Sequence, residues 1–313
     1  MNVRAIALGI AATLAGCAHA HFPAVTASAP SFAPTPSSVE VGVSRAEITL
    51  PPGVSTFGHG PDARVTHGLW TRLYCRAFVF KQGDAALAIV PCDLPAMGML
   101  LQRRVAQEVA RAGVAIPAPR LMLSATHTHA GPAHYLDGAA YTGFGSTQLP
   151  AFDEAIVDRL AKSIAAAVVD AYHHARRAEL RWARTEVLTL TRNRDIAAFV
   201  RNREPPWAAN CPERSELCAI DPDLSVLELR DAATPASPCP LGALVFFAMH
   251  PTVLPNTNQL LGADAFGVAS RALEERLRLA GKDATDCPRD PLAGIVNTNE
   301  GDVVSRFVSA SVE

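Results

Sequence analysis

The sequence predicts an α/β fold, with mixed β-sheets covered by helices in a single catalytic-type domain behind a signal peptide and a tether. Three observations predict it. Short apolar runs of strand length alternate along the chain with longer helical patterns. One of them, LGALVFFAM (241–249), is apolar throughout, as a strand covered on both faces requires. Four runs end abruptly in Asp, His, Asn or Glu, at the strand ends where α/β proteins collect ligands.

The elements follow in order. LYCRAFVF (73–80) and AALAIVPCD (85–93) read as neighbouring strands joined by the turn-forming Lys81-Gln82-Gly83-Asp84. Leu100 to Ala112 has charges on one face and Leu, Val and Ala on the other, with Gly113 as its stop. RLMLSATH (120–127) is a strand. Asp153 to His174 is a long helix, acidic at its start and basic at its end, as the helix dipole favours. LRWARTEVLTL (180–190) and LSVLELR (224–230) alternate like strands, Asp264 to Ala280 is a helix stopped by Gly281, and LAGIVNT (292–298) is a last apolar strand. Residues 193–223 form a long excursion containing Pro and Cys, expected to cover or line a site.

The 313 residues are 49% hydrophobic with a formal net charge of -2, which supplies a core and gives no electrostatic ground for a nucleic-acid partner. The first residues carry Arg4, an apolar run from Ala5 to Ala15 and small residues before Cys17, the layout of a secretory signal too short to span a bilayer. Leu14-Ala15-Gly16-Cys17 resembles a bacterial lipobox. Residues 1–17 are therefore read as a lipoprotein signal peptide, with an acylated Cys17 as the mature N-terminus. Cleavage after Ala18 or Ala20 is the alternative. Residues 18–40, rich in Ala, Pro and Ser, read as a disordered tether before a domain over 41–313. This predicts an exported, membrane-anchored bacterial lipoprotein on the periplasmic or cell-surface side, with the membrane as partner through its lipid anchor.

Six further cysteines are compatible with disulfides in an exported protein. Cys211, Cys218, Cys239 and Cys287 lie in polar, Pro-rich segments and are the expected bridge formers. Cys75 and Cys92 sit in strand-like runs and read as small buried core residues.

The run LMLSATHTHAGPAHY (121–135) holds the chemistry. Residues i and i+2 of an extended chain project to the same side, so His127 and His129 can face one point. His250 precedes a proline, which biases it to an extended end of its own strand. Three imidazoles from two strands suit a catalytic zinc, whose protein ligands leave one position open. We expect His127 and His250 as metal ligands, and His129 either as a third ligand or as the group that steers the attacking water and protonates a leaving group. The candidate carboxylates at strand ends are Asp93, Asp264, Glu300 and Asp302, with Asp264 better explained as the N-cap of the following helix. His173 and His174 fall at a helix end, His59 and His67 flank a surface loop, and His134 stays undecided. No nucleophile elbow, P-loop or dinucleotide fingerprint is present.

These blocks resemble, in order, the N-terminal catalytic domain of the neutral (non-lysosomal) ceramidases. VGVSRAEIT, GLWTRLYCRAFVF, VPCDL, SATHTHAGP, TRNRD, DPDLSVLEL, FFAMHPT, GADAFGVA and NTNEGDV carry the likeness, and SATHTHAGP is the most specific. The resemblance implies a zinc-dependent amidase acting on an N-acyl lipid such as ceramide by metal-activated water. It implies His127 and His250 as zinc ligands, His129 beside the bound water, and Arg194 as a site-shaping arginine; a salt bridge to a neighbouring loop carboxylate is the other reading of Arg194. Trp70 replaces the histidine of the family's Gly-x-His-x-Arg block, and Val304 stands where Gly-Asp-Val-Ser-Pro has serine, with Ser305 one residue on. The family's further glutamate and tyrosine ligands come from sequence beyond this block. The chain therefore reads as truncated and incomplete at its metal, or as completed by a local carboxylate. A non-catalytic metal- or ligand-binding lipoprotein of the same fold, and a metal-dependent phosphoesterase, are the alternative functions.

Overall fold

The computed structural model describes residues 39–60, 63–138, 152–188, 190–201, 216–217, 219–232, 239–281 and 290–306. Cys17, the signal segment and all but residues 39 and 40 of the tether lie outside them. So do Cys211, Cys218 and Cys287.

The first strand, β1, spans Glu40–Glu47, followed by the two-residue β2, Gly68–Leu69. The expected hairpin is present as β3, Tyr74–Gln82, and β4, Ala85–Cys92, with Gly83 at φ 56° supplying the left-handed turn. Helix α1, Met99–Arg111, buries Leu101, Val105 and Val109, a single stripe at helical spacing. Strand β5 is Leu121–Ala125. Helix α2, Glu154–His173, is capped by Asp153, whose side chain accepts the Ala155 N–H. Strand β6, Arg176–Glu186, begins and ends earlier than its alternation suggests, because its partner pairs with it from Ala178 to Glu186. The short β7, Thr191–Asn193, leads into the excursion, which contains the one-turn α3, Ile196–Phe199. Then come β8, Asp223–Asp231, β9, Pro240–Phe247, and β10, Leu260–Leu261. Helix α4, Asp264–Ala280, β11, Leu292–Asn297, and β12, Val303–Ser305, complete the described elements. The two- and three-residue strands are too short to leave a periodicity, and the sequence reading missed them.

Eight strands hydrogen-bond in the order β11-β9-β8-β6-β1-β3-β4-β5. The join between β1 and β6 is only Glu40↔Arg177 and Val41↔Arg176. The sheet therefore divides into two four-stranded halves, which fold face to face. Val41 and Phe78 of one half share a buried cluster with Leu229, Leu244 and Leu292 of the other. A Cβ on Gly294 would lie 2.6 Å from the Pro91 ring and 2.7 Å from Phe78, so only glycine permits this approach. Helices α1 and α2 cover the outer face of the first half, and α4 the outer face of the second through Phe266, Val245, Phe247 and Ile295. The result is helix, sheet, sheet, helix.

Cys75 and Cys92 face each other across β3 and β4 as buried free thiols, and burial pushes the Cys92 thiol up. Cys239 is disulfide-bonded, as expected of its group. The residue that caps α4 is Ala263 rather than Asp264. Asp264 sits one position inside, at φ 49°, where its carboxylate accepts the N–H groups of Leu254 and Ala265 and ties the preceding loop to the helix start. Among the described residues no helix is long and apolar enough to cross a membrane.

Candidate metal centre

Two strand ends, one from each half, meet at Asn297. Its amide nitrogen donates to the carbonyls of Thr126 (3.2 Å) and Met249 (3.0 Å), and its oxygen accepts the Met249 N–H at 3.2 Å. Thr126 and Met249 are the residues immediately before His127 and His250. One side chain at the end of β11 thus holds both histidine-bearing segments together.

His127 and His129 do face the same point, but not as members of a strand. Strand β5 stops at Ala125, and His127 has φ 67°, a left-handed conformation costly for a non-glycine residue. Its N–H donates to the Leu94 carbonyl, and its ring Nδ1 lies 2.5 Å from the Pro95 carbonyl. On the second half, the His250 N–H donates to Val303, and a bridge to Val304 fixes its backbone. Its Nδ1 lies 2.5 Å from Glu300 Oε2, close for an ion pair though off the ideal hydrogen-bond direction. A carbonyl and a carboxylate can only accept, so both rings carry their proton on Nδ1 and present a bare Nε2.

Those two bare nitrogens and the His129 Nε2 converge. Nε2 of His127 and His250 are 3.1 Å apart, His127 and His129 3.2 Å, and His129 and His250 2.9 Å. Lone pairs at that distance repel unless a cation lies between them. Tetrahedral bonds of about 2.0–2.1 Å to zinc would separate ligand nitrogens by about 3.3–3.4 Å, a little more than the triangle seen. The three imidazoles could hold a metal ion between them.

Electrostatics favour the neutral form of His127 and His129, which ligation requires. Burial lowers the His127 pKa, with Glu300 pulling the other way. Burial, then the neighbouring His127, His250 and His59, push His129 down to about 2. Glu300 stays below the usual carboxylate range: burial opposes ionisation, but His250 and His127 outweigh it.

Of the four carboxylates suggested by the sequence, only Glu300 joins the centre, with Oε1 3.9 Å from His127 Nε2. Asp93 is fully buried away from it, bound by Arg76 at 3.1 and 3.2 Å. Asp302 accepts from the Asn193 amide at 2.8 Å, and Asp264 is occupied by its loop. Arg194 donates to the Gly301 carbonyl at 2.6 Å rather than to a loop carboxylate, and its charge acts on His127, His129 and Glu300. His134 is structural: its Nε2 accepts the Ser55 N–H.

His59 was read as a surface loop residue, yet its ring centroid lies 4.9 Å from that of His129, edge to face. The neighbouring Gly58, at φ 102°, explains the approach, since a Cβ there would sit 2.6 Å from the His129 ring. The glycines flanking His59 were the signal that could have found it.

Fold and site together define an α/β protein with a cluster of three histidines that could hold a metal ion where its sheet halves meet. The family described as neutral/alkaline non-lysosomal ceramidase, N-terminal, matches residues 39–313, and the chain belongs to it. It is 32% identical over 256 residues to the neutral ceramidase of Mycobacterium tuberculosis, covering 79% of this chain and 37% of that protein. It is 26% identical over 234 residues to the Pseudomonas aeruginosa neutral ceramidase, covering 73% and 32%. The crystal structure of neutral ceramidase from Pseudomonas aeruginosa superimposes with a TM-score of 0.74 at 24% identity, over 88% of this chain and 40% of that one, and shows the same fold. The chain thus spans about a third of the length of these curated relatives.

Proposed function

We propose that this protein hydrolyses the amide bond of a ceramide-like N-acyl lipid with the help of a zinc ion held by His127, His250 and His129. The observation that carries the proposal is the triangle of three histidine Nε2 atoms, 2.9 to 3.2 Å apart, in a chain of the ceramidase family. Bound there, zinc would supply a Lewis acid and a water whose pKa is lowered to about 7.

The protein's own groups supply the rest. Glu300 and the Pro95 carbonyl hold the His250 and His127 rings in the tautomer that offers Nε2. Arg194, pinned by Gly301, brings positive charge to the site and would stabilise an oxyanion developing on the scissile carbonyl. His129, neutral at neutral pH, would supply the third nitrogen to the metal, or as a ring beside the metal it would instead steer the bound water. Export through the N-terminal signal, with acylation of Cys17, would bring such an enzyme to its lipid. The Cys239 disulfide supports an oxidising compartment.

One observation favours a non-catalytic, metal-binding reading. Val304 bridges to His250 where the resemblance places a serine, so that position offers no hydroxyl. The test is hydrolysis of a fluorescent N-acyl sphingosine by the purified protein with zinc, beside His127→Ala and His250→Ala. Turnover lost in both variants supports hydrolysis. Zinc binding without turnover supports the second reading, and turnover retained in His127→Ala would sink the assignment.

A further inference from the structure

We propose that the cleft between the two sheet halves, at the end remote from the histidines, binds one long-chain fatty acid as its carboxylate. The cleft has a volume of about 430 Å³. Phe80, Leu87 and Ile89 of the first half form one wall, and Leu180 and Leu227 of the second half the other. The volume is at the low end of the range of about 300–1,000 Å³ typical of small-ligand pockets, which favours a single alkyl chain over the two chains of a bilayer phospholipid.

The rim supplies the polar contact. Arg120, just before β5, lines the cleft, is exposed, and has no carboxylate partner among the described residues. The other cation at the rim, Lys81, is already engaged, 3.7 Å from Glu40 and over the Tyr172 ring. An apolar slot with one uncommitted guanidinium at its mouth matches an amphiphile with a single-chain tail and a planar anionic head. The cleft lies at the start of β4, whereas the metal centre lies beyond its end. Ile89, the lining residue of β4 nearest that end, stands three residue steps of about 3.3 Å, roughly 10 Å, before Cys92, and none of the three histidines lines the cleft, so this is not the site where an amide would be cut. The inference does not rest on hydrolysis, although a fatty acid is what such a reaction would release.

Titrating dodecanoate, below its micelle-forming concentration, into the full chain by calorimetry tests this. The half-exposed Trp182, paired with Leu227 in the sheet, gives a fluorescence readout. We expect one dodecanoate per chain, weakened by about tenfold or more in Arg120→Glu. Leu87→Glu, on the rim and partly exposed, should weaken it similarly without threatening the fold. Dodecanol should bind more weakly, and His127→Ala should leave dodecanoate binding unchanged. Absence of saturable binding, indifference to both rim variants, equal binding of dodecanol, or loss in His127→Ala would each overturn the proposal. Hydrolysis failing while dodecanoate binds would leave this inference standing, and the converse would leave the proposed function standing.

Discussion

His129 is the residue on which the physical chemistry of the centre is most exposed to test. Its pKa in the fold, about 2, lies far below that of a free histidine, because burial and three neighbouring imidazoles all disfavour a second proton. The unfolded chain has no such penalty and takes up the proton near pH 6.5. As pH falls below that value the unfolded state therefore binds a proton that the folded state refuses, and stability drops by up to about 1.4 kcal/mol per pH unit for each such histidine. The prediction is that the metal-free protein loses stability in urea between pH 6.5 and pH 4.5, with a shallower slope in His129→Gln. An unchanged slope in that variant would mean the ring is already protonated in the fold. The sequence did single out the three histidines that the fold brings together, since T-H-T-H after an apolar run has few structural uses. It could not reveal how they meet, because the φ of 67° at His127 is imposed by Leu94 and Pro95, contacts that no local pattern encodes.

Among elements, the long helices and the strands with clear alternation were legible because each carries its own period. The short β7 and β12, which pair across more than a hundred residues, and the bridge from Val304 to His250, which spans about half that, were not, because they exist only through long-range pairing. Asn297 belongs to the same class: in the sequence it is one amide in NTNEGD, and in the fold it bridges the ends of β5 and β9. Replacing it by Ala leaves two carbonyls and one N–H without that partner, at a cost of about 1–3 kcal/mol for each group left buried and unsatisfied. We expect Asn297→Ala to remain folded at 20 °C, to melt at lower temperature, and to bind zinc at least tenfold more weakly by competition with a chelator. Undiminished zinc affinity would show that the two histidine segments hold their positions without the amide.

At the scale of the whole molecule, two sheet halves joined by two residue pairs need other ties, and the structure provides several at the same end. Arg76 of β3 binds Asp93 and, at 3.3 Å, Glu274 of α4, which also accepts the Ala293 N–H. Removing Arg76 alone would strand a fully buried Asp93, so Arg76→Met should cost about 3–5 kcal/mol in denaturant unfolding, while Arg76→Met with Asp93→Leu should recover part of that loss. The histidines form a second tie, because His127 and His129 belong to one half and His250 to the other. A metal bound to all three cross-links the halves, and it can bind this way only in the folded state. Its effect on stability follows mass action: about 2.7 kcal/mol at a hundredfold excess over Kd. For a chain of this size that is a rise in Tm of several degrees. We expect zinc at that excess to raise the melting temperature of the wild type. His250→Ala removes the ligand of one half and should abolish most of the rise, whereas the rim variant Arg120→Glu, at the far end of the cleft, should keep all of it. A rise of equal size in His250→Ala would mean that the metal sits on the first half alone, and the join between the halves would then owe nothing to it.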